Sequence, residues 1–190
     1  MSSQAPEGEL LLLDACCLIN LLATGRMEEI LRILPFRFAT SRLVATQEVL
    51  AIAQDSGEGT SIERRVIPPA MLEKVENLTL LDFSTEQELA DFIRFAAHLD
   101  DGEASVCALA LSQGGGVATD DLKVLRVLRQ EAPEVLTLQT PELLHEWAHL
   151  SAASAPVIAG VLRSIERRAR FRPRRNAPRF EWWSSFQGIL

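Results

Sequence analysis

The chain predicts an α/β fold, a mainly parallel sheet layered by helices, and three observations carry that reading. Short apolar runs alternate with stretches of helical spacing. The run Leu10, Leu11, Leu12, Leu13 is apolar without interruption, as in a central strand buried on both faces. Acidic residues recur where strands should end, and in an open α/β sheet the carboxyl edge is where ligands bind.

Taken in order, residues 1–9 read as a disordered lead and 10–13 as the first strand, ended by Asp14. A helix over 15–23 closes at Gly25, and a second, 27–34, is stopped by Pro35. Residues 36–39 form the next strand. Thr40 or Ser41 caps a helix running to about Ala53, with Val44, Glu48 and Ile52 on one face. Residues 55–60 read as a flexible loop, and the segment through Pro68 and Pro69 to Asn77 as irregular or short-helical. A strand over 78–81 and a helix over 84–97, capped by Ser84 with Gln87, follow.

Residues 99–126 are the stretch around which the rest is organised. Asp100, Asp101 and Glu103 precede an apolar helix over 104–112, and Gly116–Thr119 reads as a buried strand delivering Asp120 and Asp121. Glu103 shares a helical stripe with Val106, Cys107, Ala110 and Leu111. Capping alone could account for either cluster: Asp100 with Glu103 has capping-box spacing, and Thr119 to Asp121 suits a helix over 122–130. A last strand covers 135–138, Thr140 and Pro141 open a helix, and after the small-residue break 151–156 a final helix runs over about 157–170. The domain plan is a core over 10–150 and a C-terminal helical, basic extension over 151–190.

At 190 residues and 47% hydrophobic, the chain is long enough to bury one proper core. The run 10–13 is too short to span a bilayer, and no basic segment precedes it, so neither a membrane span nor a signal peptide is expected. Cys16, Cys17 and Cys107 are odd in number and lack C-x-x-C spacing; buried thiols in a reducing cytoplasm are the expectation. Net charge is −7, yet residues 163–180 hold eight arginines against one glutamate, which leaves −14 for the rest. That asymmetry points to a polyanionic partner for the tail and argues against a protein that coats nucleic acid generically.

If the first and fourth sheet strands are neighbours, Asp14, Glu48, Glu103, Asp120 and Asp121 gather at one crevice. Clustered carboxylates repel, so some take up protons unless a divalent cation compensates them. Hard oxygen donors select Mg²⁺ or Mn²⁺ over zinc, and such ions serve phosphoryl chemistry.

Asp14 through Asn20, Glu48 after Ser41-Arg-Leu-Val44, Gly102-Glu103-Ala104 and Thr119-Asp120-Asp121 resemble the ordered acidic signature of PIN domains. These are metal-dependent ribonucleases, many of them the toxins of VapBC-type toxin–antitoxin pairs. The resemblance covers roughly residues 10–150 and implies a Rossmann-like three-layer α/β/α sandwich. It implies that Asp14, Glu48, Glu103 and Asp121 hold the metal directly or through water, with Asp120 and Asp100 supporting them. Asp121 is favoured over Asp120, and Asn20 and Thr119 are supporting polar residues. It further implies RNA as substrate, products with a 5′-phosphate and a 3′-hydroxyl, a homodimer, and an antitoxin whose C-terminal segment plugs the groove. A non-toxin RNA-processing or RNA-binding role on the same scaffold is the alternative.

A rival motif, His145-Glu146-Trp147-Ala148-His149, matches the H-E-x-x-H pattern of zinc peptidases. Both histidines fall off the apolar stripe of Leu143, Leu144, Trp147 and Leu150, and a third ligand is missing unless Glu166 serves; an exposed amphipathic helix is preferred. In the extension, Phe171 to Phe180 interleaves arginines with aromatics, as binders of single strands do, or else packs on the domain's own acidic surface. Phe180, Trp182, Trp183 and Phe186 are too apolar for water, so the end docks on its own domain or on a second subunit.

Overall fold

The leucine run that opens the domain becomes the middle strand of its sheet. The computed structural model describes residues 8–48, 50–55 and 62–188. In chain order, β1 (Glu9–Leu13) leads into α1 (Ala15–Thr24) and α2 (Met27–Ile33), then β2 (Phe36–Ser41) and α3 (Arg42–Gln47). A hairpin of β3 (Ala51–Asp55) and β4 (Ile62–Val66) precedes α4 (Pro69–Leu72), β5 (Leu78–Leu81) and α5 (Glu86–Ala96). Then come α6 (Asp101–Ser112), β6 (Gly116–Ala118), α7 (Leu122–Glu131), β7 (Thr137–Leu138), α8 (Thr140–Leu150), α9 (Ala155–Arg168) and α10 (Phe180–Ser185).

Five strands form one parallel sheet in the order β5-β2-β1-β6-β7. The chain builds outward from β1 to one side, then crosses over and builds outward from β6 to the other. The reversal lies between β1 and β6, where Leu12 pairs with Ala39 on one side and Val117 on the other. Leu11, Leu12 and Leu13 are fully buried, each worth roughly 1.5–3 kcal/mol relative to exposure. Helix α6 packs across β1, β2 and β6 with α3 and α5 beside it, whereas α1 packs with α2, α8 and α9. The result is a three-layer, Rossmann-like α/β/α sandwich, the class the alternating pattern predicts.

Several local expectations change. The lead is shorter than 1–9, because Glu9 already pairs with Phe36 in β1; residues 1–7 lie outside the described residues. The helix expected to reach Ala53 stops at Gln47, and Glu48 is its extended C-cap. Leu50 leads into β3, whose Ala51, Ile52 and Ala53 pair with Val66, Arg65 and Arg64. Glu48 therefore does not share a helix face with Ile52. The expected loop 55–60 is β-strand at Asp55, and 56–61 lie outside the described residues. The 84–97 helix is capped by Thr85 with Glu88 rather than by Ser84 with Gln87. Glu103 lies on no single apolar stripe: Ala104 through Ala110 are all buried, because α6 is enclosed between the sheet and α5. Gly25, at φ 70, closes α1 as expected.

The C-terminal segment belongs to the same core. Ile158, Val161, Leu162 and Ile165 of α9 and Trp183 of α10 join the cluster that holds Leu11 to Leu13. The aromatic residues Trp182, Trp183 and Phe186 dock on their own domain. Trp183 is buried beside Glu166, and Trp182 meets His145 edge-on with ring centres 5.2 Å apart.

Candidate functional site

Two strand ends that are neighbours in space put their acids side by side at the sheet's carboxyl edge. The Asp14 backbone N–H donates to Ala118 O at 3.0 Å, joining the end of β1 to the end of β6. Its carboxylate caps α1 through Ala15 N at 2.7 Å and accepts from Thr119 Oγ1 at 2.8 Å and Cys16 Sγ at 3.2 Å. Burial raises the Asp14 pKa; the three hydrogen bonds oppose the shift and the Asp100 charge adds to it.

Thr119, fully buried, is the hinge pin of this edge. While donating to Asp14, its hydroxyl accepts from Asp121 N at 3.1 Å. Asp121 in turn caps α7, its Oδ1 accepting from Lys123 N at 2.6 Å and Val124 N at 3.3 Å. No described residue donates to its other oxygen. Asp120 turns the opposite way. It accepts from Asn20 Nδ2 at 2.9 Å, Thr140 N at 3.1 Å, the Thr140 hydroxyl and the Cys17 thiol. Those four donors make Asp120 a bracket between α1, β6 and α8, and leave Asp121 as the aspartate of the pair with a free oxygen. Burial raises the Asp120 pKa against those hydrogen bonds.

Glu48 and Glu103 complete the group from α3 and α6. Asp100 and Glu103 form a true capping box: Glu103 N donates to Asp100 Oδ1 at 2.9 Å and Asp100 N to Glu103 Oε2 at 3.3 Å. Glu103 is pushed up to about 7, first by burial, then by Asp100, with Asp14 and Asp121 adding and the backbone hydrogen bond opposing. Burial, Asp100 and Asp14 also raise Glu48. The Glu48 carboxylate lies over Gly102, where a Cβ would fall 2.6 Å from Oε1. Beneath, Ser105 donates to Gly102 O at 2.7 Å and meets Ser41 Oγ at 2.6 Å, tying the start of α6 to the end of β2.

Asp14, Glu48, Asp100, Glu103 and Asp121 thus share one electrostatic neighbourhood, with Thr119 between two of them, whereas Asp120 and Asn20 form a support behind it. The capping expectations hold as well, since Asp100, Glu103 and Asp121 cap helices while facing that neighbourhood. No three of these carboxylates bring oxygens within 4.8 Å of one another. Among the described residues one set of three potential metal donors does: Cys16, Cys17 and Asp120. Burial pushes the Cys17 thiol well up, and both thiols already bond to neighbours. The two cysteines are therefore not in purely apolar surroundings. Cys16 also accepts from Asp120 N, and Thr140 binds Cys17, Asn20 and Asp120. Sequence alone does not place Cys16, Ser105 or Thr140 at the site; for Cys16 the signal is its place two residues after the strand-ending aspartate.

No family model, curated protein or solved structure matches the chain. The site rests on its own geometry.

A cleft of about 340 Å³ is lined, among these acids, by Asp120 and Asp121. One wall carries Cys16, Asp120, Asp121 and Gln139, and the other is the C-terminal segment, with Arg170, Arg172, Arg174 and Asn176. The histidine motif lies elsewhere. His145 packs on Trp182, His149 is exposed, and Glu166 is engaged by Arg172 and Trp183. No third metal-capable side chain joins the two histidines among the described residues.

Proposed function

We propose that the protein is a divalent-metal-dependent endoribonuclease of the PIN type that hydrolyses RNA phosphodiesters. The observation that carries this reading is the convergence of Asp14, Glu48, Glu103 and Asp121, from four separate elements, at the β1/β6 reversal where open α/β sheets bind ligands. All four offer oxygen, and three have their charged form disfavoured by burial and by neighbouring acids. That donor set fits a hard cation such as Mg²⁺ or Mn²⁺. Oxygens around such an ion sit at about 2.1 Å, so carboxylates spaced as these are share it partly through water. When bound, the ion supplies Lewis-acid polarisation of the phosphoryl group and offsets the acids' repulsion.

The protein's own groups divide the remaining work. Thr119 holds Asp14 and Asp121 in register, and Gly102 gives Glu48 room to lie across α6. Without an ion Glu103 is pushed up to about 7, so at neutral pH its carboxyl holds, part of the time, a proton that a bound cation would displace. Asp14→Asn and Glu103→Gln should each abolish RNA cleavage in Mg²⁺ or Mn²⁺ while the far-ultraviolet dichroism stays that of the parent. Parent-like rates in both variants would end the reading.

A second reading, an RNA-binding module without turnover, is favoured by the use of Asp100 and Asp121 as helix caps and by the wide carboxylate spacing. It predicts bound RNA that stays intact in Mn²⁺. The toxin role, an antitoxin partner and a homodimer rest on the resemblance alone; growth arrest on expression tests the first of them.

A further inference from the structure

The segment between α9 and α10 is fastened down by some side chains and leaves others unpaired. Phe171 meets Trp183 edge-on at 5.8 Å, and Pro173 is buried. Arg172 makes two bonds to Glu166, Nε at 3.2 Å and Nη2 at 3.1 Å. These three fix the backbone. Arg170 and Arg174 line the same cleft as Asp120 and Asp121, and neither side chain makes an ion pair or hydrogen bond among the described residues. Arg170 also stands in the left-handed region at φ 56, a conformation that costs an arginine and suits glycine.

Two unpaired guanidiniums sharing a cleft with carboxylates form a site of both charges. A group that is anionic, yet tolerates acids next to it when a cation lies between, fits such a site: a phosphodiester. Of the segment's aromatic rings, Phe171 also lines the cleft, held edge-on by Trp183, whereas Trp182 packs on His145 and Phe186 and is not among the lining residues. The two guanidiniums offer contact to phosphates, which carries no base sequence. The cleft's volume of about 340 Å³ is of the size of one nucleotide unit.

We propose that Arg170 and Arg174, on the segment joining α9 to α10, form a phosphate-holding wall that binds the backbone of a single RNA strand beside the carboxylates. The assignment rests on the reading of the crevice as a phosphodiester site, but not on hydrolysis.

The test is fluorescence anisotropy of the full chain with labelled single-stranded RNA oligomers of differing base sequence. Titrations are made in Mg²⁺, with the RNA checked on a gel to be intact, and again in EDTA, over a range of salt concentrations. The oligomers should bind alike. Arg170→Gly together with Arg174→Ala should weaken binding about tenfold or more and make the log–log salt dependence shallower by about 0.7 per arginine. Arg32→Ala, on α2 beside the start of β2, should change neither. Arg170→Gly should melt no lower than the parent, which separates lost contact from lost fold. A double variant that binds as the parent does, with the same salt slope, overturns the proposal, as does a parent that binds no RNA. Arginine-dependent binding without cleavage in Mn²⁺ supports the wall and removes the nuclease. Cleavage by a protein whose binding ignores both arginines does the reverse.

Discussion

The carboxylate of Glu48 rests on Gly102, so close that a methyl group there would come within 2.6 Å of Oε1 and 3.3 Å of Cγ. A residue at the end of α3 thus reaches the first turn of α6 because that turn has no side chain in the way. The obstructing atoms belong to a flexible, half-exposed side chain, so Gly102→Ala should move Glu48 rather than break the fold. Alanine's better helix propensity should leave stability unchanged or raise it by up to about 1 kcal/mol. RNA cleavage should fall about tenfold or more. Rate assays in Mg²⁺ beside thermal melts would show the split; equal rates would mean that Glu48 has no part in the site.

Glu103 gives the apo-protein an inverted pH response at this edge. The unfolded carboxyl titrates near 4.5, whereas the native one holds its proton to about 7. Between those values the native state binds more protons, so this group's contribution to stability falls as pH rises through the window. Glu103→Gln, which keeps the capping geometry, should flatten that fall and raise the melting temperature at pH 8 in EDTA. Added Mg²⁺ should raise the parent's melting temperature and the variant's less. A steeper fall in the variant, measured by urea unfolding at pH 5 and 8, would contradict the account.

Glu88 carries the opposite sign. It is 2% exposed. Burial works against its charge, but bonds from Ser84 N, Ser84 Oγ, Thr85 N and Gln113 outweigh burial and hold the carboxyl below its usual range. Its stabilising effect is present above about pH 4.5 and is lost as pH falls through the native value. Glu88→Ala should cost about 0.5–2 kcal/mol by removing the capping partner of the Ser84 and Thr85 N–H groups, and should blunt the loss of stability in acid.

Thr119→Val keeps the shape of a fully buried side chain and deletes its links to Asp14 and Asp121. Stability should drop by about 1–3 kcal/mol. Losing its donor, Asp14 should titrate higher still, readable by carboxyl carbon NMR. An unshifted Asp14 would show that Thr119 is only filler.

Trp183→Ala should cost about 3–5 kcal/mol and loosen the segment that Phe171 and Glu166 hold. Proteolysis between α9 and α10 should accelerate in the variant. Unchanged protection would show that the segment is held by other means.

The parts of this molecule that follow from local pattern were legible in the sequence. Leu10 to Leu13 announce a strand covered on both faces, Asp14 marks its end, and Gly25 closes the helix that follows. The neighbouring of β1 and β6, on which the gathering of acids depends, was a conditional that the register of Leu12 with Val117 satisfies. Glu48 was placed near the right partners for a wrong reason. The spacing of Val44, Glu48 and Ile52 imitates a helix face, but Ile52 belongs to a hairpin whose register is set by Arg65, which no local period can reveal. Cys16 and Cys17 looked apolar in context because Thr119, Asp120 and Thr140, which give them their polar contacts, lie a hundred or more residues away. The arginine segment was readable as charge, but which arginines would be tied to Glu166 and which would face the cleft depends on tertiary packing.

Both corners of that segment, Arg170 at φ 56 and Arg179 at φ 61, are turned in backbone that glycine would occupy with ease. Each arginine costs its turn about 1 kcal/mol. A directed-evolution campaign scored on heat resistance alone would therefore favour glycine at these corners. At the first, it would strip the cleft of a cation while every fold assay reported an improvement.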